Sequence, residues 1–420
     1  FRLAAAPSFF FFRNCGDCLV SYSRNLKLVY TRRMKPMRRS RLKVVLISAL
    51  VVGLVATGTV VALRFIKPHD TPASNQSSQN PAPTVNQTAL LCTEKLSDDV
   101  LLGQKLMIAV YSAQLNNEQP LIAQYQLGGV ILMDETDESA IASLSAGMAI
   151  KPTIATDQEG GTVQRFTSEG RLPGAQDIAS SMTASQAYSL YLTDSKYLRD
   201  LGLTTNFAPV VDVISRTPQA LPGRMYSASP NSVSSYAGQY ILAQKDAGLH
   251  PVIKHFPGLG SATGNTDDGP ATTDPLSALK TRDLLPYQAL ASLGPDVMIS
   301  NAIVPELTDG QPAVWSPDAV KLLRSYGYEN AVVYSDSLTA KAIPGTLQDA
   351  ALKAWQAGID VAMIVQTRDQ TPDIASYADQ IIAQAKTALE NNSLERSSVV
   401  ESVARILARK DIDPCTIGGR

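Results

Sequence analysis

The sequence predicts an α/β fold, a single TIM-type (β/α)8 barrel, preceded by a transmembrane helix and a flexible tether. Three observations predict it: strand-type and helix-type segments alternate, a long uncharged run lies near the amino end, and a polar stretch separates the two. The 420 residues are 45% hydrophobic and 18% charged, which is typical of a globular protein. A barrel of this class commonly needs about 250 residues as one unit.

The transmembrane helix is predicted from an uncharged run of 20 residues, 44–63, VVLISALVVGLVATGTVVAL. At a rise of about 1.5 Å per residue, such a helix crosses a bilayer core of about 30 Å. Basic residues precede the run and few follow it, so residues 1–43 are predicted to form a cytoplasmic basic segment. A signal anchor is favoured over a cleaved signal peptide, because the run is long and Arg64 interrupts a cleavage site. We therefore expect a single-pass protein of the cell membrane whose folded domain is extracellular.

The flanking segments indicate where the folded domain begins. Residues 1–33 are expected to be an upstream extension without a folded role, because Met34 or Met37 would begin a compact basic region. Residues 64–91 are rich in Ser, Asn, Gln, Pro and Thr, and such a composition favours a flexible linker. The barrel domain is predicted to cover residues 92–418.

Charge is divided unevenly along the chain. Residues 1–67 carry 13 Lys and Arg against one acidic residue, whereas residues 68–420 carry 24 against 37. The basic part suits an anionic membrane surface, and the acidic part argues against nucleic-acid binding. No cluster of metal-ligating residues is apparent, so we expect neither a metal nor another cofactor, and we expect a monomer.

The four cysteines form two pairs in the sequence. Cys15 and Cys18 have C-x-x-C spacing, but no second such pair follows, and no zinc site is expected there. Cys92 and Cys415 bracket the predicted barrel and are expected to form a disulfide in an oxidising compartment. Two unrelated buried thiols are the alternative that the sequence leaves open.

Eight short apolar segments with strand character alternate with amphipathic helical patterns. The predicted strands are residues 107–111, 129–133, 153–157, 205–213, 251–256, 297–304, 331–335 and 361–365, and the clearest predicted helices are 186–201, 232–247, 316–325 and 347–357. Such alternation produces right-handed βαβ units with a parallel sheet, and eight repeats close a barrel. An open doubly wound sheet is the alternative, although no G-x-G-x-x-G follows the first strand.

Polar residues end five of the eight predicted strands. They are the segments 157–161 and 254–258, with Asp212, Asn301 and Asp336. In a TIM barrel the carboxyl ends of all strands meet at one rim, where the chemistry takes place. The sequence therefore predicts a polar site at the mouth of the barrel.

Five segments occur in the order and spacing of one known family. They are IATDQEGGTVQRF (154–166), NFAPVVDV (206–213), KHFPGLG (254–260), VVYSDSL (332–338) and AWQAGIDVAMIV (354–365). In these segments the chain resembles glycoside hydrolase family 3, in its β-N-acetylglucosaminidase branch. The resemblance implies a retaining exo-glycosidase that removes β-N-acetylglucosamine-type residues from cell-wall glycans or muropeptides. The alternatives are a catalytically silent sugar-binding barrel, a β-glucosidase or xylosidase of the same family, and an unrelated barrel enzyme such as a lyase.

The resemblance also implies roles for particular residues. The nucleophile of the family falls on Asp336, and a retaining glycosidase needs such a carboxylate to form a covalent glycosyl intermediate. The sugar-binding positions of the family fall on Asp157, Arg224, Lys254 and His255. Lys254 or Arg224 is expected to keep Asp336 ionised. The paired Gly160 and Gly161 are expected to let the backbone approach the ligand closely.

One departure from the family concerns the general acid. The loop 260–269 contains no His where the family has its acid/base residue. Asp267 stands at about that position with Asp268 beside it, and a carboxyl group with a raised pKa can protonate the leaving oxygen. The alternative is that both acids cap a turn with Gly269. The milder departures, which bear on substrate detail, are at Thr162, Leu259, Asn301 and Ser337.

Overall fold

The computed structural model describes residues 83–417, apart from residues 169, 218 and 366–373. Within this part, eight parallel strands lie side by side in chain order from β1 to β7, and β8 lies beside β1. The strands are β1 Leu106–Val110, β2 Gly129–Leu132, β3 Thr153–Thr156, β4 Thr205–Asn206, β5 His250–Phe256, β6 Asp296–Ile299, β7 Val333–Ser335 and β8 Ala362–Ile364. A parallel bridge between Tyr334 and Val361 joins the two ends of the sheet, so the barrel is nearly closed.

Helices follow the strands and cover the outside of the barrel. They are α1 Gln87–Thr93, α2 Asp98–Gln104, α3 Leu115–Gln124, α4 Glu138–Ser143, α5 Ala175–Ser181, α6 Ala184–Asp200, α7 Pro230–Ala247, α8 Leu276–Leu279, α9 Leu284–Leu290, α10 Pro317–Arg324, α11 Leu347–Gln356, α12 Ile374–Glu390 and α13 Arg396–Arg409. Capping residues satisfy backbone groups that would otherwise be unpaired at the start of α6 and at the end of α7. Thr183 and Gln186 form a capping box at the start of α6, and Gly248 ends α7 with a φ of 83°.

The fold prediction needs a correction in its amino-terminal part. It placed a transmembrane helix before the barrel, but no helix within residues 83–417 is long and apolar enough to cross a membrane. The longest, α7, is amphipathic: it buries residues such as Val233, Ala237 and Ile241 and leaves other positions exposed. The run 44–63 predicted to span lies outside the described residues, as do residues 1–43 and 64–82. The structure therefore supports the nearly closed barrel and assigns no membrane helix.

Strand β4 is much shorter than the segment 205–213 that the sequence predicts. Only Thr205 and Asn206 pair on both sides. Pro209 has no N–H group to donate to a neighbouring strand, so the ladder stops before it. The chain then makes a bridge from Val210 to Lys254 and continues toward the mouth of the barrel. This path brings the end of the segment next to the carboxyl end of β5.

The core has two layers, one inside the barrel and one between the sheet and the helices. Alternate residues of each strand point in opposite directions, so Met107 and Ala109 of β1 pack inside, whereas Ile108 packs under the helices. Phe207 and Tyr334 meet edge to face inside the barrel, with ring centroids 5.1 Å apart. The filled interior leaves the strand ends as the places where a site can form.

A buried ion cluster closes the amino end of the barrel near β8. The carboxylate of Asp360 is fully buried and lies 2.9 Å from the guanidinium groups of both Arg324 and Arg405. Burial alone would raise the pKa of Asp360, but Arg405 and Arg324 hold that pKa well below its usual range. Burial lowers the pKa of the neighbouring Lys105 to about 7. Asp360 is thus the anion that balances this group of cations.

Replacing Asp360 with Ala is expected to lower the free energy of unfolding by about 3–5 kcal/mol, because two buried guanidinium groups lose their counter-charge. Urea denaturation at pH 7 measures this, with Asp200→Ala, at an exposed position, as the control. Because the folded-state pKa of Asp360 is lowered, its contribution is complete above the ordinary Asp pKa and disappears as the pH falls toward the folded value. Equal midpoints for the wild type and Asp360→Ala at pH 7 would contradict the prediction.

A disulfide joins the two ends of the described domain. Cys92 in α1 and Cys415 have an S–S distance of 2.02 Å and a Cα–Cα distance of 5.0 Å. The bond links positions separated by 323 residues along the chain. It holds α1 beside the segment that follows α13.

Candidate active site

A pocket of about 390 Å³ opens at the carboxyl ends of the strands. The residues that the sequence singled out and that line it are Asp157, Arg224, Lys254, His255, Asp267 and Asp336. They come from the ends of β3, β5 and β7 and from the loops after β4 and β5, and the barrel brings them to one rim. Apolar side chains of Met133, Met298 and Met363 form part of the wall.

Lys254 stands at the centre of a buried ion network in this pocket. Its Nζ lies 2.6 Å from Oδ1 of Asp157 and 2.7 Å from Oε1 of Glu159. Arg224 donates to both oxygens of Glu159, from Nε at 2.7 Å and Nη2 at 2.8 Å. Burial would raise the pKa of Glu159, but Arg224 and Lys254 hold it well below its usual range. Burial would lower the pKa of Lys254, but Asp157 and Glu159 raise it, so the network stays charged.

Glu159 is a pocket residue to which the sequence analysis gave no role. Its side chain is buried and separates the ammonium of Lys254 from the guanidinium of Arg224. The available signal was its position two residues after Asp157, in the segment that ends β3. It sets the orientation of two cations at the pocket wall.

The paired glycines after Glu159 are required by the packing of their own loop. Gly160 and Gly161 have φ values of 94° and 62°, which L side chains rarely adopt. A Cβ at Gly160 would lie 2.4 Å from the carbonyl oxygen of Pro173, and one at Gly161 would lie 2.8 Å from Cα of Gly174. The glycines therefore allow this loop to pack against residues 172–174, and their role in the approach of a ligand stays a prediction.

His255 is held by the buried carboxylate of Asp212. Its Nδ1 lies 2.7 Å from Oδ2 of Asp212, whose Oδ1 accepts from the backbone N–H of Leu259 at 2.6 Å. With Nδ1 held in this way, Nε2 is the ring nitrogen nearest Arg224, 3.5 Å from its Nη2. Asp212 was expected at the rim but was not assigned to the site, and its contact orients the His255 ring.

Asp336 follows the last residue of β7, and hydrogen bonds hold both its backbone N–H and its carboxylate. Its N–H donates to the carbonyl of Ile299 at 2.8 Å, and its Oδ1 accepts from the N–H of Ser337 at 2.7 Å. Burial raises the pKa of Asp336, and the charge of Asp267 raises it further, whereas His255 and Lys254 lower it. The net pKa is raised.

The expectation that Lys254 or Arg224 keeps Asp336 ionised holds only in small part. Both cations are paired with Glu159, and Lys254 is paired with Asp157 as well. Lys254 is the weakest of the main influences on the pKa of Asp336, and the effect of burial is larger. Asp336 therefore has a carboxyl group that takes up a proton more readily than an ordinary Asp.

The structure separates the two acids of the loop after β5. Both side chains are exposed, but only Asp267 is among the residues that line the pocket. Asn265 organises the turn that contains both acids. Its Oδ1 accepts from the N–H of Asp267 at 3.1 Å, and its carbonyl oxygen accepts from the N–H of Asp268 at 3.1 Å. The structure thus brings one of the two candidate acids to Asp336 and leaves the other outside.

Two residues that depart from the family pattern, Asn301 and Leu259, lie at or beside the same pocket. Asn301 donates from Nδ2 to the carbonyl of Ser337 at 2.7 Å, which braces the loop that follows Asp336. Leu259 is buried and lines the pocket. Among residues 83–417, no group of three or more His, Cys, Asp or Glu residues is arranged to hold a metal ion.

The parallel barrel and the polar, carboxylate-bearing pocket at its rim define an enzyme of the TIM-barrel class. A sequence model of the family described as "Glycosyl hydrolase family 3 N terminal domain" matches residues 99–408. The chain therefore belongs to glycosyl hydrolase family 3 and is a glycoside hydrolase. The resemblance inferred from the five sequence segments is confirmed.

Relatives and solved structures agree with this assignment. Beta-hexosaminidase LpqI of Mycobacterium tuberculosis is 35% identical over 330 residues, which cover 74% of this chain and 82% of that protein. A beta-hexosaminidase of Methylococcus capsulatus is 29% identical over 311 residues, covering 71% and 89%. A crystal structure of a family 3 glycosyl hydrolase from Mycobacterium smegmatis is similar with a TM-score of 0.69 and 33% identity, covering 76% of this chain and 98% of that one.

Proposed function

We propose that the enzyme is an exo-acting β-N-acetylhexosaminidase that removes terminal β-N-acetylglucosamine-type residues through a covalent glycosyl-Asp336 intermediate. The observation that carries the proposal is that Asp336 and Asp267 line one pocket, close enough for the charge of Asp267 to raise the pKa of Asp336. A retaining glycosidase needs two carboxyl groups on the two sides of the scissile bond. The names of the hexosaminidase relatives support the choice of sugar.

The two carboxyl groups take different roles in the proposed reaction. Ionised Asp336 attacks the anomeric carbon, while protonated Asp267 gives its proton to the glycosidic oxygen as the bond to the leaving group breaks. Asp267 then removes a proton from a water molecule, which attacks the same carbon and releases Asp336. Its exposed position lets Asp267 exchange protons with solvent between the two steps.

The remaining pocket residues supply the groups that would hold one sugar ring. The polar side chains of Asp157, Arg224, Lys254 and His255 offer donors and acceptors for hydroxyl groups. Contacts of these side chains with one another, with Glu159 and with Asp212 orient them before the sugar binds, which reduces the entropy lost on binding. Met298 and Met363 offer apolar contact for the methyl group of an acetamido substituent.

We further propose that the substrate is a cell-wall glycan or muropeptide that the enzyme meets outside the cytoplasm. The disulfide between Cys92 and Cys415 supports an oxidising compartment, because such bonds persist mainly in secreted and extracellular proteins. The test of this substrate is to treat purified wall fragments with the enzyme and to separate the released sugars by chromatography.

The proposed activity is tested with aryl glycosides of different sugars. Purified enzyme should release p-nitrophenol from the β-N-acetylglucosaminide far faster than from the β-glucoside or β-xyloside. NMR of the first product should show the β-anomer. Faster turnover of the glucoside or xyloside would favour the corresponding activity of the same family. Binding of N-acetylglucosamine without turnover of any glycoside would favour a silent sugar-binding barrel, which the missing loop His suggests as the second candidate.

A further inference from the structure

A second, larger cavity of about 850 Å³ lies at the other end of the barrel. Thr153 and His250 begin β3 and β5, Thr204 precedes β4, and all three line this cavity. Residues 409–412, at the end of α13, form another wall. Because the strands are parallel, their amino ends lie opposite the rim that holds Asp336. The cavity is therefore separate from the glycosidase pocket.

Six of the sixteen described residues that line this cavity have basic side chains, and one has an acidic side chain. Its basic side chains are Lys151, Arg199, Lys245, His250, Arg409 and Lys410, and its one acidic side chain is Asp411. These residues come from four separate parts of the chain, whose net charge from residue 68 onward is negative. The concentration of positive charge is thus a local property of the cavity, opposite in sign to the domain around it.

Three of these basic side chains donate to neutral oxygens. Nζ of Lys410 donates to Oε1 of Gln104 at 2.8 Å, and Nη1 of Arg199 donates to the carbonyl of Leu203 at 3.3 Å. Nζ of Lys245 donates to the carbonyl of Leu293 at 2.7 Å. Burial lowers the pKa of Lys410 to about 7. Burial, followed by the charges of Arg409, Arg199 and Lys245, lowers the pKa of His250 to about 4. Only the shift of His250 reflects neighbouring positive charge, because burial alone accounts for the shift of Lys410.

Arg409 contributes a buried N–H group that is not hydrogen-bonded. Its Nη2 pairs with Oδ1 of Asp296 at 2.6 Å, whereas its Nε and Oδ2 of Asp296 are both buried without a hydrogen-bond partner among the described residues. The side chain is only 10% exposed. A buried guanidinium N–H without an acceptor is costly, and such groups are normally satisfied in native proteins.

We propose that this cavity binds a small phosphate ester. A phosphate group offers three acceptor oxygens and up to two negative charges, which suits several Lys and Arg side chains better than a single carboxylate does. The cavity is large enough for an organic group attached to the phosphate. The proposal rests on the amino end of the barrel alone and does not depend on the activity assigned to the other end.

The test is calorimetric titration of the full chain with inorganic phosphate and with glycerol 3-phosphate, at constant ionic strength. Lys151→Glu and Arg199→Glu place a negative charge at two exposed cavity positions and should each weaken binding by about tenfold or more. Lys196→Glu is the matched control, because Lys196 is exposed on the same helix as Arg199 and does not line the cavity. The control should bind like the wild type.

Three results would overturn the proposal. The first is no heat of binding for either phosphate compound at millimolar concentration. The second is equal weakening by Lys196→Glu and Arg199→Glu, which would show a general charge effect. The third is binding to vesicles of anionic lipid without binding of free phosphate, which would identify a membrane-facing surface. Unchanged thermal midpoints would show that the variants are folded, and Lys151→Glu tests the site separately from the contact of Arg199 with Leu203.

Discussion

Replacing Asp336 with Ala should lower kcat/KM for p-nitrophenyl β-N-acetylglucosaminide by about 10⁴-fold or more, since removal of a nucleophile eliminates the covalent route. Asp336 lies at the end of β7, where its N–H donates to the carbonyl of Ile299 and its carboxylate accepts from the N–H of Ser337. Asp336→Asn keeps the shape of the side chain and should be nearly as inactive, which separates lost chemistry from lost packing. Both variants should keep the wild-type thermal midpoint within a few degrees.

A mechanism-based fluorinated N-acetylglucosamine analogue gives the direct test of the same role. It should accumulate as a glycosyl ester on the peptide that contains Asp336, and mass spectrometry of a digest identifies that peptide. A label on Asp157 or Glu159 instead, or an Asp336→Ala enzyme that retains a tenth of the wild-type activity, would contradict the assignment. Glu159 is not expected to react, because its carboxylate is paired with both Arg224 and Lys254.

The pH dependence of the enzyme should reflect the raised pKa of Asp336. The nucleophile must be ionised, so kcat/KM falls when the pH drops below the pKa of this group. Because burial and the charge of Asp267 raise that pKa, the acid limb should lie at a higher pH than the ordinary Asp pKa. A pH profile of kcat/KM measures the limb.

Replacing Asp267 with Ala should lower kcat/KM by about 10²–10⁴-fold for substrates with a poor leaving group, the range that general acid catalysis usually provides. The loss should be much smaller for a dinitrophenyl glycoside, whose leaving group departs without a proton. Asp268→Ala is the matched control, because Asp268 is the adjacent acid and does not line the pocket. It should leave both rates unchanged.

Asp267→Asn offers a second measurement that a purely structural role would not affect. Removing the negative charge of Asp267 removes one cause of the raised pKa of Asp336. On the dinitrophenyl substrate, the acid limb of kcat/KM should therefore move to lower pH. An equal loss for good and poor leaving groups, with an unmoved acid limb, would show that Asp267 only maintains the loop.

Several features of the site could be predicted from the sequence because they are local. Apolar strands that end in polar residues were recognisable at Asp157, Lys254 and Asp336, and their common rim follows from the parallel arrangement of a barrel. The spacing between these segments carried the resemblance to the family. The eight strands were also recognisable. Strand β4 was predicted too long, because its pairing depends on the position of Pro209 relative to the neighbouring strands β3 and β5.

Other features depended on contacts between distant parts of the chain. Glu159 became part of the site only because Arg224 and Lys254 approach it from later segments. The sequence does not distinguish Asp267 from Asp268. The turn at Asn265 determines that Asp267 is the one that lines the pocket with Asp336. The order of strands and the chemistry of their ends were therefore determined by the sequence, since periodicity and residue type act locally. The ion pairs, the choice of acid and the cationic cavity were decided by the tertiary structure, because charges interact through space at distances that only the folded chain sets.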